Sequence, residues 1–183
     1  DYAIAPLLSR LGNLYFNTQE YPKAIDAYIR AIVIHEFDKT GTSFRTADLG
    51  WHLIEIGNSL YRLQDYKLAE YPYNIALKAF SSIKGTAGIE GMITASNNIA
   101  LCRLNDGDPE GALPVFATTL KMSRKCGEEQ RIYVTQIYIA TCYLRMQQYD
   151  KCISILRNPS LTTMAENQSP LNLFRLDVLG DAY

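Results

Sequence analysis

The sequence predicts an all-α array of stacked helical hairpins, and three observations carry that prediction. One phrase is written twice, as "LGNLYFNTQEYPKAIDAY" from Leu11 to Tyr28 and as "IGNSLYRLQDYKLAEYPY" from Ile56 to Tyr73. Its residues recur at fixed offsets further along the chain, the mark of a repeat architecture. Between them apolar residues fall at helical spacing, with a turn signal midway through each unit.

The small residue after Leu11, Gly12, anchors the first unit, and Gly57 anchors the second. Nine residues past these anchors stand Tyr21 and Tyr66, twelve past Ala24 and Ala69, sixteen past Tyr28 and Tyr73, and nineteen past Ala31 and Ala76. The frame continues in weaker spelling at Ala100, with Ala112 and Phe116, and at Ala140, with Tyr149 and Cys152; it reopens at Gly180, with Tyr183. The units run approximately over 5–49, 50–92, 93–132 and 133–172, with a truncated fifth at 173–183, as one array. Each unit predicts two helices. Leu7, Leu8, Leu11, Leu14 and Tyr15 give the first helix its apolar face, and "NTQEYP", "LQDY", "NDGDP" and "MQQYD" mark the turns. Pro22 and Pro109 suit the first turn of the second helix, where no amide partner is lost. Ala24, Ala27, Tyr28 and Ala31 make a close-packing face, and Gly41, Gly85 and Gly127 stand where a left-handed helix cap belongs. The fourth second helix meets Asn158-Pro159, which predicts an early stop, and the next first helix is expected near Pro170.

This frame resembles the tetratricopeptide repeat (TPR) family, whose signature pairs Leu-Gly with following aromatic, Ala, aromatic and Ala positions on two antiparallel helices. The resemblance covers nearly the whole chain. The family's standard repeat is ~34 residues, and the anchors here are 40 to 45 apart. That spacing is similar to the long-repeat variety of kinesin light chains, spindle-orientation adaptors, bacterial peptide-pheromone receptors and bacterial sensor proteins. It implies a right-handed α-solenoid, concave on the first-helix side, in which neighbouring units supply each other's core.

Composition narrows the function. Lys and Arg number 18 against 19 acidic residues, a balance that disfavours a phosphate-binding surface and hence direct nucleic-acid binding. No apolar run approaches the ~20 residues of a membrane span. With Asp as first residue and no secretory pattern, the chain is expected to be a piece of a longer protein. Cys102, Cys126, Cys142 and Cys152 form no CxxC pair, so no metal site and no cofactor is expected; buried free thiols fit a reducing, cytoplasmic setting. "GTAGIEG", Gly85 to Gly91, is read as an inter-unit loop and not a phosphate cradle, because a helix precedes it. His35 and His52 are read as ordinary helix residues, and without a nucleophile–base pairing no enzyme is expected.

In the resembling families the first-helix side is the binding groove, and Asn there clamps a peptide backbone, a primary amide offering both donor and acceptor. The corresponding residues are Asn13, Asn58, Asn97 and Asn98; the alternative reading is that these amides cap or bond neighbouring helices. Arg10, Arg62 and Arg145 fall at groove positions where they would favour an acidic peptide or a carboxylate, the alternative being ordinary solvated helix residues, with Arg103 a weaker case and Glu55, Asp177 and Asp181 diluting the field. The carboxylate clamp of chaperone-tail binders is missing, since Ser9 and Glu55 stand where Lys and Asn are required. Trp51, Ile54, Phe16, Tyr61 and Leu104 are candidates for apolar pockets or for inter-repeat packing. The resemblance implies a protein- or peptide-binding scaffold module of a signalling or regulatory protein; the alternative is a region that senses a small peptide or metabolite and controls an attached kinase or DNA-binding domain. The fifth unit has no second helix, so its apolar face is expected to meet further repeats or a second copy in a homodimer.

Overall fold

A computed structural model describes residues 4–37, 46–158 and 169–182. Every regular element among them is a helix: α1 (Ile4–Asn17), α2 (Tyr21–Phe37), α3 (Thr46–Arg62), α4 (Tyr66–Ser81), α5 (Thr86–Asn105), α6 (Pro109–Cys126), α7 (Glu129–Arg145), α8 (Tyr149–Leu156) and α9 (Ser169–Gly180). The cap expected at Gly41 and the irregular stretch 159–168 lie outside the described residues. The chain forms two compact units, Asp1–Cys102 and Arg103–Tyr183. In the first, α1 packs on α2, α2 on α3 and α3 on α4; in the second, α6 packs on α7, α7 on α8, and α9 on both α7 and α8.

The twice-written phrase has a steric cause. The Tyr28 ring lies so close over Gly12 that a methyl there would stand 2.6 Å from ring carbon Cε1, and Tyr73 lies over Gly57 with the corresponding gap 2.5 Å. Only glycine leaves room for that ring. Each tyrosine then donates its hydroxyl to the asparagine that follows the glycine: Tyr28 to Asn13 Oδ1 at 2.6 Å, Tyr73 to Asn58 Oδ1 at 2.7 Å. Glycine, asparagine and tyrosine thus form one ring-and-amide lock per hairpin. Ala24, Ala69 and Ala112 are fully buried, as close packing of the helix pairs requires.

The turns repeat as faithfully. Seven residues past the anchors, Gln19, Gln64, Gly107 and Gln147 all have positive φ, between 59° and 88°. The next amide reaches back to close each helix: Glu20 to the Tyr15 carbonyl, Asp65 to Leu60, Asp108 to Arg103 and Gln148 to Tyr143. This is a Schellman-type cap, here carrying glutamine at three of its four left-handed positions. Asp65 and Asp108 then accept from the Leu68 and Gly111 amides at the start of α4 and α6. Tyr21 and Tyr66 lean edge-on against Phe16 and Tyr61, bracketing the first two turns. Gly85 and Gly127 adopt the left-handed conformation expected of them.

The first unit's core centres on Phe80, fully buried with Tyr73, Ala69, Ile54 and Cys102. In the second, Tyr133, Ile137, Ala140, Cys152 and Leu156 gather beneath Val178 and Ala182 of the C-terminal segment. α8 ends at Leu156 after 8 residues, the early stop that Asn158-Pro159 predicts. Leu173 and Leu176 of α9 are exposed at 65% and 46%. Cys102, Cys142 and Cys152 are buried free thiols; Cys126 is half-buried, and burial pushes Cys142 up to about 12. No helix among the described residues is long and apolar enough to cross a membrane.

Candidate functional site

The first unit carries a cleft of about 270 Å³ between α1 and α3, floored by Tyr28 of α2. Asp48, Trp51, His52 and Glu55 line one wall at spacings of three, one and three, which place all four along one side of α3. Ser9 and Asn13, one helical turn apart on α1, line the other. Burial pushes the Tyr28 hydroxyl up, with Glu55 adding to the shift, so it is a neutral donor committed to Asn13. Trp51 makes a T-shaped contact with Phe80, ring centres 5.1 Å apart, and stays 39% exposed.

His52, read from the sequence as an ordinary helix residue, joins the two walls. Its Nδ1 lies 2.6 Å from the Asp48 carbonyl and its Nε2 2.6 Å from Ser9 Oγ. A carbonyl only accepts, so Nδ1 carries a hydrogen. Ser9 also donates to the Ala5 carbonyl at 3.0 Å. With a neutral ring, one serine proton faces two acceptors; with a protonated ring, Nε2 donates to Ser9 and the serine hydrogen goes to Ala5. The pairing that no sequence motif announced therefore exists, as a clasp between α1 and α3. It lies in mid-helix, where backbone N–H groups are spent on i−4 carbonyls, so it has no backbone oxyanion donors of the kind nucleophilic acyl transfer uses.

The sequence-derived candidates fall in different places. Asn13 lines the cleft; its carbonyl is taken by Tyr28, and its amide nitrogen donates to no described group. Asn58 is internally engaged, its oxygen accepting from Tyr73 and from Asn98 Nδ2 at 3.2 Å while its nitrogen donates to Glu55. Asn97 buries its Oδ1 with no hydrogen-bond partner. Arg10 and Arg62 are exposed on α1 and α3 and do not line the cleft. Arg145 ends α7 in the second unit, and Arg103 reaches the Gly111 carbonyl at 3.4 Å. Ile54 and Leu104 are core residues, and Phe16 and Tyr61 pack on their turn tyrosines, so of the five pocket candidates only Trp51 reaches the cleft. Among the described residues, the second unit has a hollow of about 480 Å³ lined by the contiguous turn Gln147–Lys151 alone. Among the described residues no group of three or more His, Cys, Asp or Glu could hold a metal ion.

Solved structures place the fold. The chain superimposes on the apo form of RapI with TM-score 0.70 at 18% identity, covering 93% of this chain and 50% of that one. It matches the Rap conjugation gene regulator of plasmid pLS20, solved in complex with the Phr* peptide, with TM-score 0.73 at 14% identity over 93% and 45% of the two chains. A TPR-like repeat array from a Podospora anserina kinesin light chain gives TM-score 0.74 at 12% identity over 97% and 84%. The chain spans about half the length of the two Rap structures. No protein-family model and no curated protein matches it. These likenesses show the fold: an all-α solenoid of TPR-like helix pairs.

Proposed function

We propose that this chain is a peptide-binding module of a regulatory protein, and that the α1/α3 cleft is where the peptide is read. The observation that carries the reading is the cleft itself: a walled recess on the first-helix side, offering a free amide donor at Asn13, carboxylate acceptors and the partly exposed ring of Trp51. An extended peptide brings a donor and an acceptor at every residue, which such a mixed lining can satisfy. The likeness to a regulator solved with a peptide bound agrees with this use of the fold. Asn97 and Asn98 of α5, with the exposed Arg10 and Arg62, are the next contacts proposed for a segment extending beyond the cleft; Arg145, in the other unit, stays outside the proposed site.

Panning a random linear peptide library against the chain tests the proposal. Enriched peptides should lose about tenfold or more in affinity for Trp51→Ala and for Asn13→Ala, the loss of an aromatic anchor or a charge-free hydrogen bond with its packing. Far-UV circular dichroism should show both variants folded. Enriched peptides that bind both variants as tightly as the parent chain would place the binding face elsewhere.

A further inference from the structure

The structure assigns a charge preference to this cleft: we infer that it takes a cationic side chain, a guanidinium above all, of the bound peptide. The inference rests on the peptide-binding reading and reverses the expectation of an acidic peptide that Arg10, Arg62 and Arg145 suggest in the sequence. None of those arginines lines the cleft, whereas Asp48 and Glu55 do, seven residues apart on α3 with Trp51 between them. Among the described residues neither carboxylate has an ion-pair partner; the ion pairs are Lys23–Glu20, Arg30–Asp26 and Arg131–Glu128, all elsewhere. Glu55 accepts one hydrogen bond, from Asn58 at 3.2 Å, leaving its other oxygen unengaged by any described donor.

The carboxylates do not make the case alone. They stand in a walled recess with the one tryptophan of the chain, which stays 39% exposed although it makes a T-shaped contact with Phe80. A planar cation is held by what the recess combines: a π face to stack on and carboxylates to receive its N–H groups. Among the described residues lining the cleft, an anion would meet two negative groups and no cationic side chain other than His52, whose two nitrogens already face the Asp48 carbonyl and Ser9. A purely apolar side chain would strip water from both carboxylates without replacing their hydrogen bonds.

Because Trp51 is the sole tryptophan, its fluorescence reports occupancy directly. The probes are N-acetyl-arginine methylamide, its glutamate and norleucine counterparts, and methylguanidine, each titrated into the intact chain. The arginine derivative should give a saturable change that the glutamate and norleucine derivatives do not. Asp48→Asn with Glu55→Gln should weaken it by about tenfold or more, the scale of losing charge-assisted hydrogen bonds. These carboxamides keep the shape of the side chains, and an unchanged melting temperature will show that the fold is kept. Equal binding of the glutamate derivative, or full retention of arginine binding in the double variant, overturns the charge assignment while leaving peptide binding intact. Methylguanidine binding as tightly as the arginine derivative supports the charge assignment and counts against peptide recognition. No saturable change with any probe overturns the inference.

Discussion

The first two repeats and the next two share one frame and fill it with different chemistry. At the anchor, the following residue and the sixteenth, repeats one and two carry Gly12-Asn13/Tyr28 and Gly57-Asn58/Tyr73; repeats three and four carry Ala100-Leu101/Phe116 and Ala140-Thr141/Leu156. The three positions change together. Where the ring loses its hydroxyl, the asparagine that received it is gone, and the glycine that made room for the ring has become alanine. Thr141 turns its hydroxyl back to its own helix, onto the Ile137 carbonyl at 3.0 Å. The turn changes too, from the aromatic brackets Phe16/Tyr21 and Tyr61/Tyr66 to Leu104/Pro109 and Leu144/Tyr149. A compensated pair persists elsewhere in the frame: Lys23 lies over the Tyr15 ring and Lys151 over Tyr143, at the same two offsets of repeats one and four. The lesson is that hairpin packing can be met with or without polar atoms. The first unit retains them, and one, the Asn13 amide that Tyr28 holds in place, lines its cleft.

The largest expected effect breaks the lock at its tightest point. Gly57→Ala should destabilise the chain by ~1–3 kcal/mol, because the new methyl overlaps a fully buried tyrosine ring. The comparison with the fourth repeat sharpens the test, since Ala140 coexists there with Leu156. Gly57→Ala and Tyr73→Leu should therefore be non-additive, the pair losing less than the sum of the singles by about 1 kcal/mol or more. Urea denaturation of the four variants measures the coupling. Strict additivity would mean that the ring does not need the glycine.

The same comparison explains what the sequence could and could not disclose. The hairpins were legible because their cause is local: a ring sixteen residues on lies over the anchor, and a left-handed residue seven on turns the chain. Both leave fixed offsets in Gly12, Gln19, Tyr28 and their counterparts. The cleft was legible in part, since Asn13, Trp51 and Glu55 stand at groove positions of the frame, but the clasp that joins its walls was not, because Ser9 and His52 are 43 residues apart and sit at offsets the repeat does not conserve. One signal was present. His52 occupies the frame position that Ala95 and Thr135 fill as fully buried small residues and Leu7 fills exposed, and a polar ring there departs from the packing of repeats three and four. The amides were readable as polar repeat positions, but their being tied to Tyr28 and Tyr73 required the helix crossing itself.

A middle-sized effect separates the turns. Gln64 has φ of 62°, a conformation costing an L side chain roughly 1 kcal/mol, whereas Gly107 adopts its 88° without that penalty. Gln64→Gly should therefore stabilise the chain by up to about 1 kcal/mol, and Gly107→Ala should destabilise it by about as much or more. Thermal melts followed by circular dichroism should move in opposite directions. If both substitutions lower the midpoint, the Gln64 side chain contributes contacts that outweigh its backbone strain.

The smallest expected effect compares the two locks with each other. Tyr73 and Tyr28 each give a hydroxyl to an asparagine, but the surroundings differ. Asn58 is half-buried beneath Asn98 and Glu55, while Asn13 is exposed at the cleft. Removing a hydroxyl strands an acceptor only where water cannot replace the donor. Tyr73→Phe should cost about 1 kcal/mol, within the usual range for an internal hydrogen bond, and Tyr28→Phe a few tenths of that, since water can reach the Asn13 carbonyl. The consequences for binding should run the other way. Tyr28→Phe frees the Asn13 amide to rotate within the cleft and should weaken peptide binding by about twofold to tenfold, the share of one oriented hydrogen bond. Tyr73→Phe should leave affinity nearly unchanged. Urea midpoints and peptide titrations on the two variants measure both axes, and a Tyr28→Phe variant that binds normally would show that the first lock serves packing alone.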